Sequence, residues 1–443
     1  MDRREFLKKA GLGAAVLGMG ACAPRVLKDE DDKSETVPDG KVVSHYDGVG
    51  LLGYGCMRWP VVKGEAGRSH IDQDEVNALV DYALEHGVNY FDTSPVYLEG
   101  DSERATAQAL NRHPRSEWLL ATKLSNFSDF SYDNSVKMYR KSLEIFNTDH
   151  VDYYLLHALS GGDDFRRRFG DTGIMDFLLK ERDAGHIRNL GFSFHGPESG
   201  FNELMALHEK YHWDFVQIQM NYVDWTHAGK GNASAKFLYN ELDSREIPIV
   251  IMEPLRGGRL ADLPAALSDE LKARDPQSSL ASWAFRFVGS FPRVKCVLSG
   301  MTYMNHLQDN LSTFIGFKPL DEEEKEFLEI TAEKMENYPL VRCTGCQYCM
   351  PCPYGINIPA IFKFYNDNVN AGTYVVSKEQ QGYARTRRKY LLAYDKAIPS
   401  VRQADHCISC GRCVPACPQK IAIPRELRRI DNYIETLKRE DFQ

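Results

Sequence analysis

From about Val49 the chain alternates between two rhythms. Short runs of β-branched and apolar residues are separated by longer stretches in which apolar residues recur every three or four positions. The short runs occupy residues 50–55, 88–92, 118–122, 151–156, 189–194, 215–220, 249–252 and 294–298. Continuous apolarity over so few residues suits strands covered on both faces, as in parallel sheets. Between them, residues 74–86 place Val76, Leu79, Val80 and Ala83 on one helical face. Residues 103–110, 135–145, 175–182 and 279–287 repeat that spacing, and 320–335 closes the series. Repeated strand–helix alternation predicts an α/β fold, a (β/α)8 barrel. A doubly wound open sheet is the competing arrangement. It calls for a glycine-rich turn after the first strand, and no such fingerprint follows residue 55.

The pattern divides the chain into residues 1–23, a signal; 24–45, a polar linker; 46–335, the barrel; and 336–443, a C-terminal domain. At the start, Arg3-Arg4 is followed by Phe6-Leu7-Lys8 and then by a small, apolar stretch over residues 10–23. That stretch is too short to span a bilayer. The paired arginines resemble a twin-arginine signal, which implies an exported protein, periplasmic or membrane-anchored. Cys22, after Met19-Gly20-Ala21, is the candidate lipidation site and the one expected membrane contact. Cleavage after Ala23 competes with it, although Pro24 disfavours that cut.

The 443 residues, 43% hydrophobic, suffice for a barrel and a smaller module. A net charge of -8 offers no basic face, so no nucleic-acid partner is expected. Residues 383–389 are locally basic and read as a solvated helix face, with docking of an acidic redox partner as the sharper alternative.

Of eleven cysteines, eight lie in two tight runs. Cys343, Cys346, Cys349 and Cys352-Pro353 form the first. Cys407, Cys410, Cys413 and Cys417-Pro418 form the second, whose spacing is the full bacterial ferredoxin pattern. The first run is one residue shorter before its Cys-Pro. A weak repeat, Ile356-x-Ile358-Pro359 against Ile421-x-Ile423-Pro424, supports their pairing. Two-cluster ferredoxins lend each run's fourth cysteine to the other cluster. On that pattern Cys343, Cys346 and Cys349 join Cys417, and Cys407, Cys410 and Cys413 join Cys352, around two [4Fe–4S] clusters. Zinc, the alternative, prefers separated cysteine pairs.

Residues just past the C-terminal ends of barrel strands face the active site. Three successive ends carry Asp92 with Tyr97, then Lys123, then His157. Singly, each has a bland explanation: a turn cap, a packed rim aromatic, a solvated strand end, a structural histidine. Together they meet the needs of carbonyl reduction. A phenol supplies the proton, an ammonium lowers its pKa, a carboxylate holds the ammonium, and an imidazole orients the carbonyl oxygen.

With Gly53-Tyr54-Gly55-Cys56-Met57-Arg58, Phe91-Asp92-Thr93, Ala121-Thr122-Lys123 and Leu156-His157 in this order, residues 49–311 resemble the aldo/keto reductase family. The resemblance implies a small carbonyl or alcohol substrate and hydride transfer, with Tyr97 as general acid. It also implies NADPH or NADH. Ser193 and Gln219 then fall at the nicotinamide amide, Leu255 and Gly257 at the pyrophosphate, and Asp309 and Asn310 at the adenine. The chain departs from the family at Phe194 (usually Asn), Met252 (often Tyr), and Gly300 and His306, where many members hold the 2′-phosphate with cations. NADH therefore fits as well as NADPH. Substrate specificity is expected from residues 159–171 and 223–235. Two clusters can share the electron pair of a hydride and pass it to a redox protein or quinone. Export pulls against a soluble nucleotide: the nucleotide is held tightly, or the chain stays inside, or the clusters replace it as the electron source. The alternative function is a non-catalytic barrel that binds a ligand, with the clusters an electron-transfer or structural unit.

Overall fold

The computed structural model describes residues 37–63 and 69–440. The expected signal, Cys22 and most of the polar linker lie outside the described residues. The strands are β1 (Leu52–Gly55), β2 (Val61–Lys63), β3 (Ser69–Ile71), β4 (Tyr90–Asp92), β5 (Leu119–Leu124), β6 (Val151–Leu159), β7 (Ile187–Phe194), β8 (Phe215–Gln219), β9 (Ile249–Met252) and β10 (Val294–Ser299). β2 and β3 form an antiparallel pair outside the barrel. The other eight close into a parallel barrel in the order β1-β10-β9-β8-β7-β6-β5-β4. Closure runs through β1, which pairs Leu52 with Val297 on one side and Tyr54 with Phe91 on the other.

Local chemistry sets the elements. The helix Gln73–Glu85 starts at Asp72, whose side chain accepts from the Glu75 N–H, and it buries Val76, Leu79, Val80 and Ala83. The helix Tyr132–Phe146 opens on Ser131 in the same way and stops at Asn147 in the left-handed region. Apolar residues of strands and helices share one core between the two layers. Inside the barrel lies a smaller group containing Tyr90, Tyr153, Phe215, Val250 and Cys296, so this cysteine is a packing residue. β6 continues past its expected end to Leu159. Its register with β7 shifts between Leu156 and Leu159, and Ala158 takes a φ of 54°. A bulge of this kind re-aims a strand end, here the one that carries His157.

The C-terminal domain is mostly helical. Helices Ile358–Asn370, Tyr383–Ala397 and Ile423–Arg439 enclose a second core built on Ile361, Phe362, Tyr365, Tyr390, Leu427 and Ile430. The first and last begin at the repeated Ile-Pro, with proline in the first turn, where its missing N–H costs nothing. Three residues after each fourth cysteine, Gly355 and Lys420 have positive φ, and each donates its N–H back to the cysteine carbonyl. The weak sequence repeat is thus a structural one.

This domain sits on the C-terminal mouth of the barrel. Arg58 Nη2 donates to the Thr344 carbonyl at 2.6 Å, and Arg342 Nη1 to the His227 carbonyl at 2.7 Å. Asn232 Nδ2 donates to the Pro418 carbonyl at 2.9 Å, and Arg259 donates to the Val341 carbonyl. Among the described residues no helix is long and apolar enough to cross a membrane.

Candidate active site

Asp92 ends β4 and Lys123 lies in β5 beside it. Lys123 Nζ donates to Asp92 Oδ1 at 2.6 Å and to the Thr93 carbonyl at 2.8 Å, and both side chains are buried. The ammonium stands 4.7 Å from the centre of the Tyr97 ring. Tyr97 opens a tight turn in which Leu98 and Glu99 both have left-handed φ, 50° and 58°. Non-glycine residues there carry about 1–2 kcal/mol of strain each, a cost that the buried Tyr97 packing offsets. The His157 ring meets the Tyr97 ring edge-on, centroids 5.8 Å apart. The four expected residues therefore converge.

Two residues of this site escaped the sequence reading. Ser125 Oγ lies 2.5 Å and Ser94 Oγ 3.4 Å from His157 Nδ1. Each stands two residues beyond a named one, Lys123 and Asp92, and that position at a strand end was the available signal. A hydroxyl that donates to Nδ1 leaves Nε2 as the protonated nitrogen, the donor that a carbonyl oxygen requires.

Electrostatics define the resting protonation. Burial, then the charges of Lys123 and Arg168, hold the His157 pKa well below its usual range, so the ring is neutral. Burial lifts the Asp92 carboxyl against the opposing pull of Lys123 and, after it, of Gln217. The Tyr97 phenol is pushed well above its ordinary value, by burial first and by the negative charge of Asp92 second. The lowering expected from Lys123 does not prevail in this state. The ammonium lies over the ring and its charge is matched by Asp92. The nearby Tyr348 side chain works the other way. Tyr348 comes from the C-terminal domain, between Cys346 and Cys349.

The positions expected to contact a nucleotide are engaged by the protein. Ser193 Oγ accepts from the Ala158 N–H at 2.8 Å. Gln219 Nε2 donates to Asp224 Oδ2 at 2.5 Å, and its Oε1 accepts from Gln419 Nε2 at 2.9 Å. Gln419 also reaches Glu253 Oε2 at 2.8 Å. Burial, with Asp224 nearby, pushes the Glu253 carboxyl up to about 7. Leu255 packs at the edge of the barrel core. Gly257 has a φ of +72°, and a Cβ placed there would stand 2.2 Å from the Thr344 carbonyl oxygen. Asp309 Oδ2 accepts from Ser279 Oγ at 2.9 Å, and Asn310 Nδ2 donates to Ser299 Oγ at 2.8 Å.

The cysteines fall into the two expected groups. Cys343, Cys346, Cys349 and Cys417 line one pocket with Ile358 and Phe362. Cys413 interacts electrostatically with Cys407, Cys410 and Cys352. Both runs wind alike. The residue two after the first cysteine (Gly345, Ser409) and the residue one after the second (Gln347, Gly411) have positive φ. Such winding turns successive N–H groups inward, as anionic clusters require. Burial raises the thiols, Cys346 and Cys349 to about 12, and repulsion from neighbouring cysteines adds to it. Thiols so placed become ligands only when a cationic centre displaces their protons. Among the described residues no three such groups converge closely enough to hold one metal ion.

Residues 51–332 match the aldo/keto reductase family, and residues 342–423 match a 4Fe-4S dicluster domain. L-galactose dehydrogenase of Arabidopsis thaliana is 24% identical over 304 residues, 64% of this chain and 90% of the relative. The glycerol dehydrogenase AKR11B4 of Gluconobacter oxydans superposes with a TM-score of 0.52 at 19% identity, over 68% of this chain and 97% of its own. An aldo/keto reductase of Klebsiella pneumoniae in complex with NADP and acetate superposes with a TM-score of 0.50 at 19% identity, over 64% and 91%. The chain belongs to the aldo/keto reductase family and carries a C-terminal 4Fe-4S dicluster domain.

Proposed function

We propose that this aldo/keto reductase interconverts a small carbonyl compound and its alcohol, and that two [4Fe–4S] clusters link that chemistry to one-electron carriers. The observation that carries the reading is the convergence of Tyr97, the Lys123–Asp92 pair and neutral His157 at the barrel mouth. His157 orients the carbonyl oxygen. Tyr97, protonated at rest, gives that oxygen its proton, and Lys123 balances the phenolate that forms. Cys343, Cys346, Cys349 and Cys417 would hold one cluster, and Cys352, Cys407, Cys410 and Cys413 the other. When bound, each takes or gives one electron.

The names of two similar proteins, L-galactose dehydrogenase and glycerol dehydrogenase, make hydroxylated alcohols and their carbonyls the first panel to try. The test is turnover of that panel by cluster-loaded protein, with NADPH, NADH or reduced viologen as donor, against Tyr97→Phe. Unchanged turnover in the variant would sink the assignment. Arg3-Arg4 with Phe6-Leu7-Lys8 supports export through the twin-arginine route, with Cys22 as a lipid anchor. Cell fractionation of Arg3→Lys/Arg4→Lys, expected to hold the protein in the cytoplasm, tests that.

A further inference from the structure

A nicotinamide nucleotide is the cofactor that the barrel's family implies, and the crevice that would take it does not fit it. Three contacts close it, each at a different part of the expected nucleotide. Both ends of the Gln219 amide are committed, one to Asp224 and the other to Gln419. The Gly257 backbone meets the Thr344 backbone with no room for even one added carbon, so no diphosphate passes between them. The side chain of Tyr97, beside which the reacting ring has to lie, faces Tyr348 of the C-terminal domain.

The charges agree with the geometry. A dinucleotide brings a diphosphate that needs free cations. The arginines near this face are turned towards the protein: Arg58 to the Thr344 carbonyl, Arg259 to the Val341 carbonyl, and Arg256 towards Asp224 at 3.4 Å, with Arg256 Nε and Nη2 left without a hydrogen-bond partner among the described residues. The carboxyls of Glu253 and Asp224 lie beside Arg256 and Arg58. Gln419 and Thr344, the residues that fill the gap, are themselves almost fully buried. That is the signature of an interface packed as interior.

We propose that the C-terminal domain is the resident occupant of the nucleotide crevice, so that this chain binds no nicotinamide nucleotide and exchanges electrons singly with a one-electron carrier. Gln219, Glu253 and Gly257 are then docking residues for the domain and not cofactor contacts. The second clause rests on the carbonyl/alcohol reading above. In balance, one alcohol gives one carbonyl compound, two electrons and two protons. The C–H and O–H bonds of the alcohol break, and the proton on oxygen leaves through Tyr97. The other proton goes to solvent, and two equivalents of oxidised carrier are reduced. The reverse direction consumes two reduced carriers.

The test uses the full, cluster-loaded chain under anaerobic conditions. NADPH and NADH are each titrated to about 1 mM, the upper end of ordinary enzyme affinities. Bound nucleotide is read by equilibrium dialysis, and the iron–sulfur absorbance is followed in parallel. The expected result is no saturable binding and no bleaching by either nucleotide, with full bleaching by dithionite. Saturable one-to-one binding of either nucleotide in that range overturns the proposal. Carbonyl turnover driven by reduced viologen, and lost in Tyr97→Phe, supports the electron clause. Turnover driven by NADPH and lost in the same variant overturns the clause while leaving the carbonyl/alcohol reading intact. Absence of turnover with every donor, together with no nucleotide binding, removes the carbonyl/alcohol reading and the electron clause with it, and leaves the closed crevice standing.

Discussion

Removing the ammonium of Lys123 isolates the energetics of the site. The lysine and Asp92 are both buried, and Nζ lies 2.6 Å from Oδ1. At an effective dielectric of about 20 their attraction is about 6 kcal/mol. It is set against a desolvation cost of several kcal/mol per ion. In Lys123→Met the carboxylate keeps its desolvation and loses its partner, so in the folded state it takes up a proton. From the ordinary aspartate value of 3.8, holding that proton at about pH 7 costs about 4 kcal/mol, and at about pH 5 about 1.5 kcal/mol. The sign follows from linkage. A carboxyl whose folded pKa is raised binds more protons folded than unfolded, so the variant loses stability as pH rises. Burial already lifts Asp92 in the parent, so about 4 kcal/mol is the ceiling for the difference. Asp92→Asn/Lys123→Met carries no buried charge and should recover most of the loss. Urea unfolding of the three proteins at the two pH values measures each quantity. A loss under about 1 kcal/mol at neutral pH, the same loss at both pH values, or strict additivity in the double variant would falsify the buried-pair account.

Three further outcomes follow from the structure. Tyr97→Phe should lower carbonyl turnover by about 10²–10⁴-fold while iron content and thermal midpoint stay at parental values; a fall in iron content would show the change to be structural. Cys417→Ala should remove the cluster shared with Cys343, Cys346 and Cys349 and leave the other, halving the iron, whereas Cys410→Ala should spare it; electron paramagnetic resonance of the reduced proteins separates the two, and identical spectra would break the crossed pairing. His195 is held at about 4, by burial and then by Lys420; its folded pKa lies below the unfolded value, so its contribution to stability is complete above 6.5 and is lost as pH falls towards 4. Relative to His195→Gln the parent should therefore lose about 3 kcal/mol across that window, and a constant difference would contradict the shift.

The barrel was legible because its strands are buried on both faces and their apolar runs have no competing reading. Ile249–Met252 matches its expectation residue for residue, and the others differ only at their ends. The β2–β3 pair was invisible: three residues on each side give an alternation too short to recognise. The convergence of Asp92, Tyr97, Lys123 and His157 was legible because the fold places strand ends predictably. Their protonation was not, since desolvation depends on what packs against them. Burial and Asp92 decide the Tyr97 pKa, and Tyr348, far along the chain, is the partner that opposes them. The same distance hid the docking. Gln419 and Thr344 are unremarkable in sequence, and their meaning lies in Gln219 and Gly257, which they meet across the fold.

The bond between Gln219 and Gln419 also orders events during synthesis. The barrel is complete in sequence once β10 is made at Ser299, because β10 and β1 close the ring. Its lid arrives later, and Gln419 lies 200 residues beyond the side chain that it finally meets. A chain emerging from its N-terminus therefore passes through a stage with a finished barrel and an open mouth. Long-range contacts of this kind form last and slowly. Whatever must be loaded against Cys343, Cys346 and Cys349 has its widest access in that interval, before the Cys417 segment swings in and the last helix locks against the second core.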